Sequence, residues 1–287
     1  MKAVAIQKIP VSSQPFPAPG LTPFALDQLS GTQTLVHRID FDRYERFRQA
    51  NDPQFFFQKL SDHFRAQGQL IIHLWEDVSQ KKPDVVASRL RALAGESVRI
   101  PARLTQTRRI DQPTTMAFLE QNHLQGMVVS KYKYGLWLPK RYFRVLPPDF
   151  LAAQTTNTDE LLVAVATFSQ PRTIPRDGQL FRSYELVRFA NRLNSTVVGG
   201  LDKLLKAFVT EHQPDDIMTY ADRDWSNGRS YERLDFERLG ETEPQLFWVK
   251  PGELTRHYPH RLEDNEGMIP IWNAGNSKFL KRFRAVL

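Results

Sequence analysis

Asp222 is the acidic residue of this sequence best placed to take part in catalysis. It ends the run DDIMTYAD, which is typical of a strand, and the turn-forming segment RDWSNG follows it. Ligands collect beyond the carboxyl ends of strands in α/β sheets, where a carboxylate can orient an amine or accept its proton. The same carboxylate can instead cap the turn that follows it. We predict the catalytic role, and the capping role remains the alternative.

A pair of glycines, Gly199 and Gly200, precedes the clearest helical pattern in the chain. The segment GGLDKLLKAFVTE places leucine and phenylalanine side chains on one stripe of a helix. Free amides and the positive dipole end at a helix start bind phosphate oxygens, and glycine lets a ligand approach the backbone. We therefore predict a phosphorylated cofactor at Val198, Gly199, Gly200 and Lys203. The alternative is a tight strand-to-helix turn without a ligand.

His123 lies in the segment NHLQG, directly after the helical pattern TTMAFLEQN. Histidine is the natural general base near neutral pH, so we predict a catalytic role for it. The neighbouring amides of Asn122 and Gln125 are of the type that reads the edge of a nucleobase. A loop histidine that is hydrogen-bonded to the backbone is the alternative interpretation.

Arg188 shares the strand pattern SYELVRFA with Glu185. Because the two residues are three apart on a strand, the alternation of side chains predicts that they face opposite sides. Neither charge can lie unpaired in an apolar core. We predict that Arg188 faces a cleft, where an anionic cofactor or a phosphate suits its guanidinium.

Trp225 stands between two arginines, Arg223 and Arg229, in the segment YADRDWSNGRSYERLDF. An exposed aromatic ring among basic side chains is a stacking platform for an unpaired nucleobase. These three residues are therefore predicted to contact nucleic acid. The alternative is a tryptophan that packs the turn against the sheet.

The chain divides into three regions by pattern. Residues 1–32 contain a run of prolines and predict an extended N-terminal arm without a regular ladder. Residues 33–97 predict a small α/β unit of helix, strand and helix, in which Pro83 begins the last helix and Gly95 follows its end. Residues 98–287 predict a larger domain with a basic C-terminal tail, in which Asp111 or Thr114 caps the first helix.

Composition narrows the classes of protein and of partner. The 287 residues are 41% hydrophobic and carry a formal net charge of +7, which favours a globular protein with an anionic partner such as nucleic acid. The absence of cysteine excludes disulfide-linked partners and cysteine-ligated metals. No apolar run approaches the roughly 20 residues of a membrane span. We expect a cytoplasmic protein, and no metal site, since His257 and His260 have no third ligand nearby.

The order of elements from residue 98 resembles the GNAT acyltransferase fold. The predicted order is strand, helix, three strands, helix, strand, helix and strand. In that fold a strand, a loop and the following helix hold the cofactor pyrophosphate, and the corresponding segment here is ELVRFANRLNSTVVGGLDKLLKAF. The resemblance implies an α/β (α+β) class with a mixed sheet flanked by helices. It implies acetyl-CoA or a related acyl-CoA as cofactor, and Tyr231 as general acid. The family's glycine signature is absent, because the two glycines are adjacent and lack the preceding Gln or Arg.

Two narrower resemblances concern nucleic acid. The segments IIHLWED, FLEQNHLQG and YADRDWSNGRSYERL are similar to the C-terminal region of phage proteins associated with Vsr-like homing endonucleases. The clustered carboxylates of a nuclease are missing, because Glu76 and Asp77 are adjacent on an expected strand, so we predict no nuclease activity. His123, Arg188, Asp222 and Tyr231 fall where the phage Mom group of DNA-modification proteins shares a His, an Arg, a YAD strand and a Tyr.

The sequence therefore supports two functional hypotheses. The first is a GNAT-fold transferase that acts on a nucleic acid or a nucleobase, as in Mom-like DNA modification. The second is a catalytically silent module that binds DNA or RNA beside the nucleases of mobile elements, which the missing glycine signature favours. An adaptor for an acidic protein partner is a third class, for which the sequence contains no specific motif.

Overall fold

A computed structural model describes residues 11–126, 128–154, 158–176, 178–250 and 252–283 of the chain. The α-helices are α1 Phe41–Ala50, α2 Phe56–Ala66, α3 Glu76–Lys81, α4 Pro83–Leu93, α5 Gln112–Asn122, α6 Pro148–Ala152, α7 Gly200–His212 and α8 Arg229–Glu232. Three short 3-10 segments are Ala102–Leu104, Lys140–Val145 and Pro259–Arg261.

The strands of the described chain are numbered in chain order. They are β1 Ser13–Pro15, β2 Ala25–Leu29, β3 Thr34–Ile39, β4 Leu70–Trp75, β5 Val98–Pro101, β6 Gln106–Arg109, β7 Tyr132–Pro139, β8 Glu160–Phe168, β9 Arg172–Arg176, β10 Gln179–Asn191, β11 Ser195–Val198, β12 Asp216–Asp222, β13 Glu237–Glu241, β14 Leu246–Val249, β15 Arg256–His257, β16 Ile269–Trp272 and β17 Asn276–Arg282. The protein is therefore a mixed α/β structure, as predicted.

The chain forms two compact units, and three strands contribute residues to both. The first unit comprises the described residues up to Ala94 together with Tyr220–Glu232 and Arg238–Lys278. The second comprises Gly95–Thr219, Arg233–Glu237 and the described residues from Phe279. The first division lies close to the predicted limit at residue 97. The predicted region 98–287 is itself divided, because two of its segments pack with the N-terminal residues.

A four-stranded sheet with the order β1-β2-β3-β4 organises the first unit. The pairs β1/β2 and β2/β3 are antiparallel, and β3/β4 is parallel. This differs from the predicted N-terminal arm, because residues 13–15 and 25–29 are strands. Pro15 is compatible with the ladder since β1 is an edge strand, where a missing amide donor leaves no interior hydrogen bond unmade.

One face of α2 forms part of the core of the first unit. Phe57, Leu60 and Phe64 are buried, while Phe56 is half-buried. Leu60 and Phe64 pack with strand residues such as Ile71, and Phe57 packs with Trp75. A three-stranded sheet, β15-β14-β16, belongs to the same unit and adds apolar residues to the cluster around Phe57.

The helix limits predicted in this unit agree with the structure, and one strand limit does not. Pro83 begins α4, and Gly95 follows it with a φ of +81°. Glu76 and Asp77 were expected on a strand, but they begin α3, because β4 ends at Trp75. Acidic residues in the first turn of a helix interact favourably with its dipole.

The second unit is built on a sheet with the order β13-β17-β12-β10-β8-β7-β6, in which β9 also pairs with β10. The pair β10/β12 is parallel, and α7 lies between these strands in the chain. Phe208 of α7 stacks on Phe168 of β8 with ring centroids 3.9 Å apart. The strands and helices predicted from residue 98 are present, but the unit also contains β6, β9, β11 and the short helix α6. The last predicted helix and strand, α8 and β14, belong to the first unit.

Two features of β10 depart from a regular strand. Its parallel pairing with β12 covers Ser183–Leu186 and Asp216–Thr219, although β10 continues to Asn191. Its antiparallel pairing with β8 shifts register between Leu186 and Arg188, which makes a bulge. The strand therefore changes direction where its pairing with β12 ends.

Helix α5 begins with one of the two predicted caps. The side chain of Asp111 accepts a hydrogen bond from the amide of Thr114 at 2.8 Å. None of the helices in the described part of the chain has both the length and the apolar content needed to cross a membrane. Residues 284–287 of the predicted basic tail, and the first ten residues of the predicted arm, lie outside the described residues.

Candidate active site

Asp222 is a half-buried residue at the end of β12. Its Oδ1 accepts a hydrogen bond from the amide of Asp224 at 3.0 Å, and its carbonyl accepts one from the amide of Trp225. One carboxylate oxygen thus caps the turn, as the alternative interpretation proposed. A carboxylate has a second oxygen and several lone pairs, so the cap does not exclude a role toward a ligand.

Asp224 is a second carboxyl group beside Asp222, and the sequence analysis did not identify it. It is 2% exposed, and its Oδ1 accepts a hydrogen bond from the amide of Ala274 at 2.8 Å. Burial, and then the charge of Asp222, raise the pKa of Asp224 to about 8. Asp224 therefore holds a proton at neutral pH, as one member of a close carboxyl pair must when the site is buried. Because this hydrogen bond spans two distant segments, sequence spacing alone did not indicate it.

Arg89 of α4 connects Asp222 electrostatically with Tyr231. Burial lowers the pKa of Arg89, and the charges of Asp222 and Tyr231 act in the opposite direction. The guanidinium carbon lies 5.5 Å from the ring centroid of Trp225. The structure thus assembles Asp222, Tyr231 and Arg89 into one group within the first unit. Arg89 was missed because its helix is distant in sequence from both of the other residues.

The three residues predicted to contact nucleic acid in this segment differ in exposure. Arg223 is 4% exposed and pairs with Asp62 at 2.6 Å and with Glu241. Trp225 is 5% exposed, so it packs in the turn and offers no open ring face for a nucleobase. Arg229 is exposed at the start of α8, with one weak bond to the carbonyl of Gly68 at 3.4 Å. Among the three, Arg229 alone keeps a surface position.

The predicted loop residues around His123 lie in the second unit and are bonded locally. Asn122 donates to the carbonyl of Phe118 and accepts from the amide of Leu193, each at 2.7 Å. The Nδ1 of His123 accepts from the amide of Gln125 at 3.1 Å. Asn122 therefore ends α5 and joins it to the segment after β10. The backbone-bonded alternative describes the Nδ1 of His123.

Arg188 follows the bulge in β10 and is half-buried. Its Nη1 donates to the carbonyl of Val187 at 2.9 Å. The expectation that Glu185 and Arg188 face opposite sides assumed a regular strand. The extra residue in a bulge shifts the alternation by one position, so that argument does not hold across Val187.

Gly199 and Gly200 stand at the start of α7, and a different structural constraint favours glycine at each of the two positions. Gly199 has a φ of +76°, and a Cβ there would meet nothing closer than 3.7 Å. At Gly200 a Cβ would lie 2.9 Å from the Cβ of Val197, so packing requires glycine. Val198 is 44% exposed, and no side chain caps the first turn of α7. The amides at this helix start are therefore available to an acceptor.

Lys203 has partners inside the protein. Its Nζ donates to the carbonyl of Ala102 at 2.9 Å and to the carbonyl of Thr105. Burial lowers the pKa of this amine. In this arrangement Lys203 holds the 3-10 segment against α7, and the backbone amides are the groups that remain for a phosphate. The described residues contain no group of three His, Asp or Glu side chains placed to hold a metal ion.

Comparisons with known proteins relate the chain to acetyltransferases only at a distance. No protein-family model and no curated protein matches the sequence. The solved structures that match include the NatC complex bound to Gag peptide and CoA, with 10% identity and a TM-score of 0.34 over 62% of this chain and 98% of that chain. They also include an acetyltransferase from Corynebacterium glutamicum related to the histone acetyltransferase HPA2, with 12% identity and a TM-score of 0.35 over 64% of this chain and 98% of that chain. Arabidopsis thaliana NAA60 in complex with a bisubstrate analogue matches with 11% identity and a TM-score of 0.36 over 63% of this chain and 99% of that chain. Such distant likeness carries no statement about what this chain binds.

Proposed function

We propose that this chain is an acyl-CoA-dependent transferase whose cofactor binds in the second unit. The observation that carries the proposal is the break in the sheet at β10. Among the described residues, pairing with β12 ends at Leu186, and the bulge at Val187 follows. In the GNAT fold that the element order resembles, the corresponding parallel strands separate into a V-shaped opening that receives the cofactor. The uncapped start of α7 supports the same location.

The residues at the start of α7 fit a diphosphate. The first amides of a helix have no partner within the helix, and a phosphate supplies oxygen acceptors at the positive end of the dipole. Gly199 leaves room for a close approach, and Val198 is exposed beside it. Lys203 is held by two carbonyls and is not needed for this role. When bound, an acyl-CoA supplies an acyl group activated as a thioester.

Asp222 and Tyr231 are the acid–base groups that we propose within the first unit. Burial and the charge of Asp222 raise the pKa of Asp224 to about 8. We propose Asp222 as the carboxylate that orients an amine or accepts its proton. The charges of Arg89 and Asp222 attract each other. The hydroxyl of Tyr231 is the proposed general acid. Arg188 and His123 remain proposed catalytic residues, on the resemblance alone.

The cofactor proposal is tested by placing a charge at the start of α7. Val198→Asp adds an anion beside the proposed diphosphate site, and Val198→Asn is its control of matched shape without the charge. We expect acetyl-CoA to raise the melting temperature of the wild type and of Val198→Asn. Binding by Val198→Asp should be at least about tenfold weaker, since repulsion of about 1.4 kcal/mol has that effect. Equal titrations for both variants would exclude the amides as the binding site.

The acceptor that we propose is an amine of a nucleic acid or a nucleobase. This finer step rests on the net charge of +7 and on the exposed Arg229. DNA and RNA from cells that express the wild type or Asp222→Asn can be compared by nucleoside mass spectrometry. We expect a modified nucleoside with the wild type alone, because the variant keeps the cap oxygen but loses the negative charge. A modified nucleoside in equal amounts with both proteins would remove Asp222 from the mechanism.

A catalytically silent nucleic-acid-binding module is the second candidate. The observation that favours it is the internal use of Lys203, together with the packing reason for Gly200. Binding of DNA or RNA without any effect of acetyl-CoA on stability would support this candidate. Its affinity should fall steeply with salt, because phosphate contacts release counterions.

A further inference from the structure

Two of the buried arginines in the first unit have carboxylate partners. Arg256 binds both oxygens of Asp77, at 2.6 and 3.0 Å. Arg223 binds Asp62 and Glu241. A guanidinium withdrawn from water needs such acceptors, because its desolvation is otherwise uncompensated. These two residues show how this unit normally stabilises a buried guanidinium.

Arg89 differs from these two residues in its partners. Its Nε is shielded from solvent and makes no hydrogen bond. Across the described ranges, no hydrogen bond or ion pair of Arg89 is present, and its interactions are the ring of Trp225 and the charges of Asp222 and Tyr231. Buried polar atoms without a partner are rare in folded proteins. Within the described residues the Nε of Arg89 therefore lacks an acceptor, which a ligand can supply.

The surroundings of Arg89 hold it ready for a planar acceptor. Trp225 is 5% exposed, and the guanidinium carbon of Arg89 lies 5.5 Å from its ring centroid, so the ring covers one face of the cation. Arg89 as a residue is half-buried, so part of it remains in contact with solvent. A guanidinium of this kind binds two oxygens of one carboxylate or phosphate at once.

We propose that Arg89 is an anion-recognition residue of the first unit, which binds a phosphate or carboxylate oxyanion along its N–H edge with Trp225 behind it. This anion site is separate from the proposed phosphate site at the start of α7. It deepens the proposed function, because the same Arg89 lies with Asp222 and Tyr231 and would hold an anionic group of the acceptor. Anion binding itself does not depend on acyl transfer.

The test measures anion binding by the full-length protein at constant ionic strength. Inorganic phosphate, dimethyl phosphate and acetate are titrated by calorimetry, with chloride as the balancing salt. The variants are Arg89→Gln, which removes the charge, Arg89→Lys, which keeps the charge but not the planar edge, and Arg46→Gln as a control at an exposed arginine of α1. Dimethyl phosphate represents a nucleic-acid backbone, inorganic phosphate a monoester, and acetate a carboxylate.

We expect saturable binding of at least one anion by the wild type and by Arg46→Gln. The affinity should fall at least tenfold in Arg89→Gln and by a smaller factor in Arg89→Lys. Without anion, Arg89→Gln should unfold at nearly the same urea concentration as the wild type, because the desolvation of the guanidinium is offset only by the Trp225 ring and the charge of Asp222. The anion that binds most tightly shows whether the natural ligand carries a phosphate diester, a phosphate monoester or a carboxylate.

Three results would overturn the proposal. They are no saturable binding of any of the three anions, equal affinity in Arg89→Gln and the wild type, or a large loss of stability in Arg89→Gln without anion. The last result would mean that Arg89 has a structural role. Acetyl-CoA titration of Arg89→Gln separates this outcome from the proposed function, because cofactor binding at α7 should survive the loss of anion binding at Arg89.

Discussion

The Nδ1 atoms of His37 and His73 lie 3.0 Å apart, and both side chains are fully buried in the first unit. The Nε2 of His37 lies 2.6 Å from the hydroxyl oxygen of Thr22, and the Nε2 of His73 lies 2.9 Å from that of Ser61. One proton between the facing nitrogens satisfies the pair when both rings are neutral. A second proton would place two donors against each other in a buried site.

This pair predicts a loss of stability at acid pH. Burial lowers the pKa of His37 well below its usual value, and it lowers the pKa of His73 to about 3. The unfolded chain takes up protons below a pH of about 6.5, whereas the folded chain does not, so stability falls as the pH falls. For His73 the loss between pH 6.5 and pH 5 should be about 2 kcal/mol.

Urea denaturation at pH 7 and at pH 5 measures this effect. His73→Gln removes one titrating group, so its free energy of unfolding should change less over this range than that of the wild type. His63→Gln, at an exposed position of α2, is the control and should follow the wild type. If the free energy of unfolding of His73→Gln fell between pH 7 and pH 5 by as much as that of the wild type, the pH dependence assigned to His73 would be wrong.

Asp224 predicts the opposite dependence on pH. Its pKa in the folded chain is about 8, against 3.8 for a free side chain. The folded chain keeps a proton that the unfolded chain loses above a pH of about 4, so this residue costs stability as the pH rises from about 4 to 8. Asp224→Asn keeps an oxygen for the amide of Ala274 and has no charge to desolvate. We expect it to be more stable than the wild type at pH 8, by about 1 kcal/mol or more, and the difference to shrink at pH 5.

Thermal or urea denaturation of the two proteins at both pH values tests this expectation. The stability difference between Asp224→Asn and the wild type is compared at the two pH values. If this difference favoured the variant less at pH 8 than at pH 5, the carboxyl group would be ionised in the folded chain. Asp264→Asn, at an exposed position, is the control and should show no such dependence.

The ion pair between Arg256 and Asp77 predicts a strong stability effect. Arg256 binds both carboxylate oxygens and lies 5.6 Å from the ring centroid of Trp75. Arg256→Met leaves a buried carboxylate without its partner and should cost about 3–5 kcal/mol. The double variant with Asp77→Asn should recover part of that loss. Urea denaturation of the four proteins of this cycle gives the coupling energy, and additive single effects would mean that the pair contributes no direct interaction.

The two glycines before α7 should respond differently to alanine. Gly200→Ala puts a Cβ 2.9 Å from the Cβ of Val197 and 3.3 Å from Leu136, so we expect a loss of about 1–3 kcal/mol from overpacking. Gly199→Ala has room and loses only the ease of a positive φ, which costs about 1 kcal/mol. Adding Val197→Gly, which removes the Cβ in that contact, should lower the cost of Gly200→Ala but not that of Gly199→Ala. Equal behaviour of both variants in urea denaturation would show that packing does not distinguish the two positions.

Local patterns in the sequence were sufficient for many element limits. Pro83 and Gly95 marked the two ends of α4, and the leucine stripe from Leu201 to Phe208 marked the buried face of α7. Helix starts, helix stops and apolar periodicity depend on residues within a few positions of one another. For the same reason one of the two caps predicted for α5, Asp111, is observed.

The tertiary structure alone decided which of the charged side chains meet. Arg89 lies with Asp222 and Tyr231, Asp77 takes Arg256, and Arg223 is buried against acids from other segments. Each of these pairings joins residues far apart in the chain, and an arginine in a basic turn has the same local pattern whether it is buried or exposed. Burial and partnership depend on contacts between distant segments, which form only when the sheets assemble, so periodicity and spacing contain no signal for them.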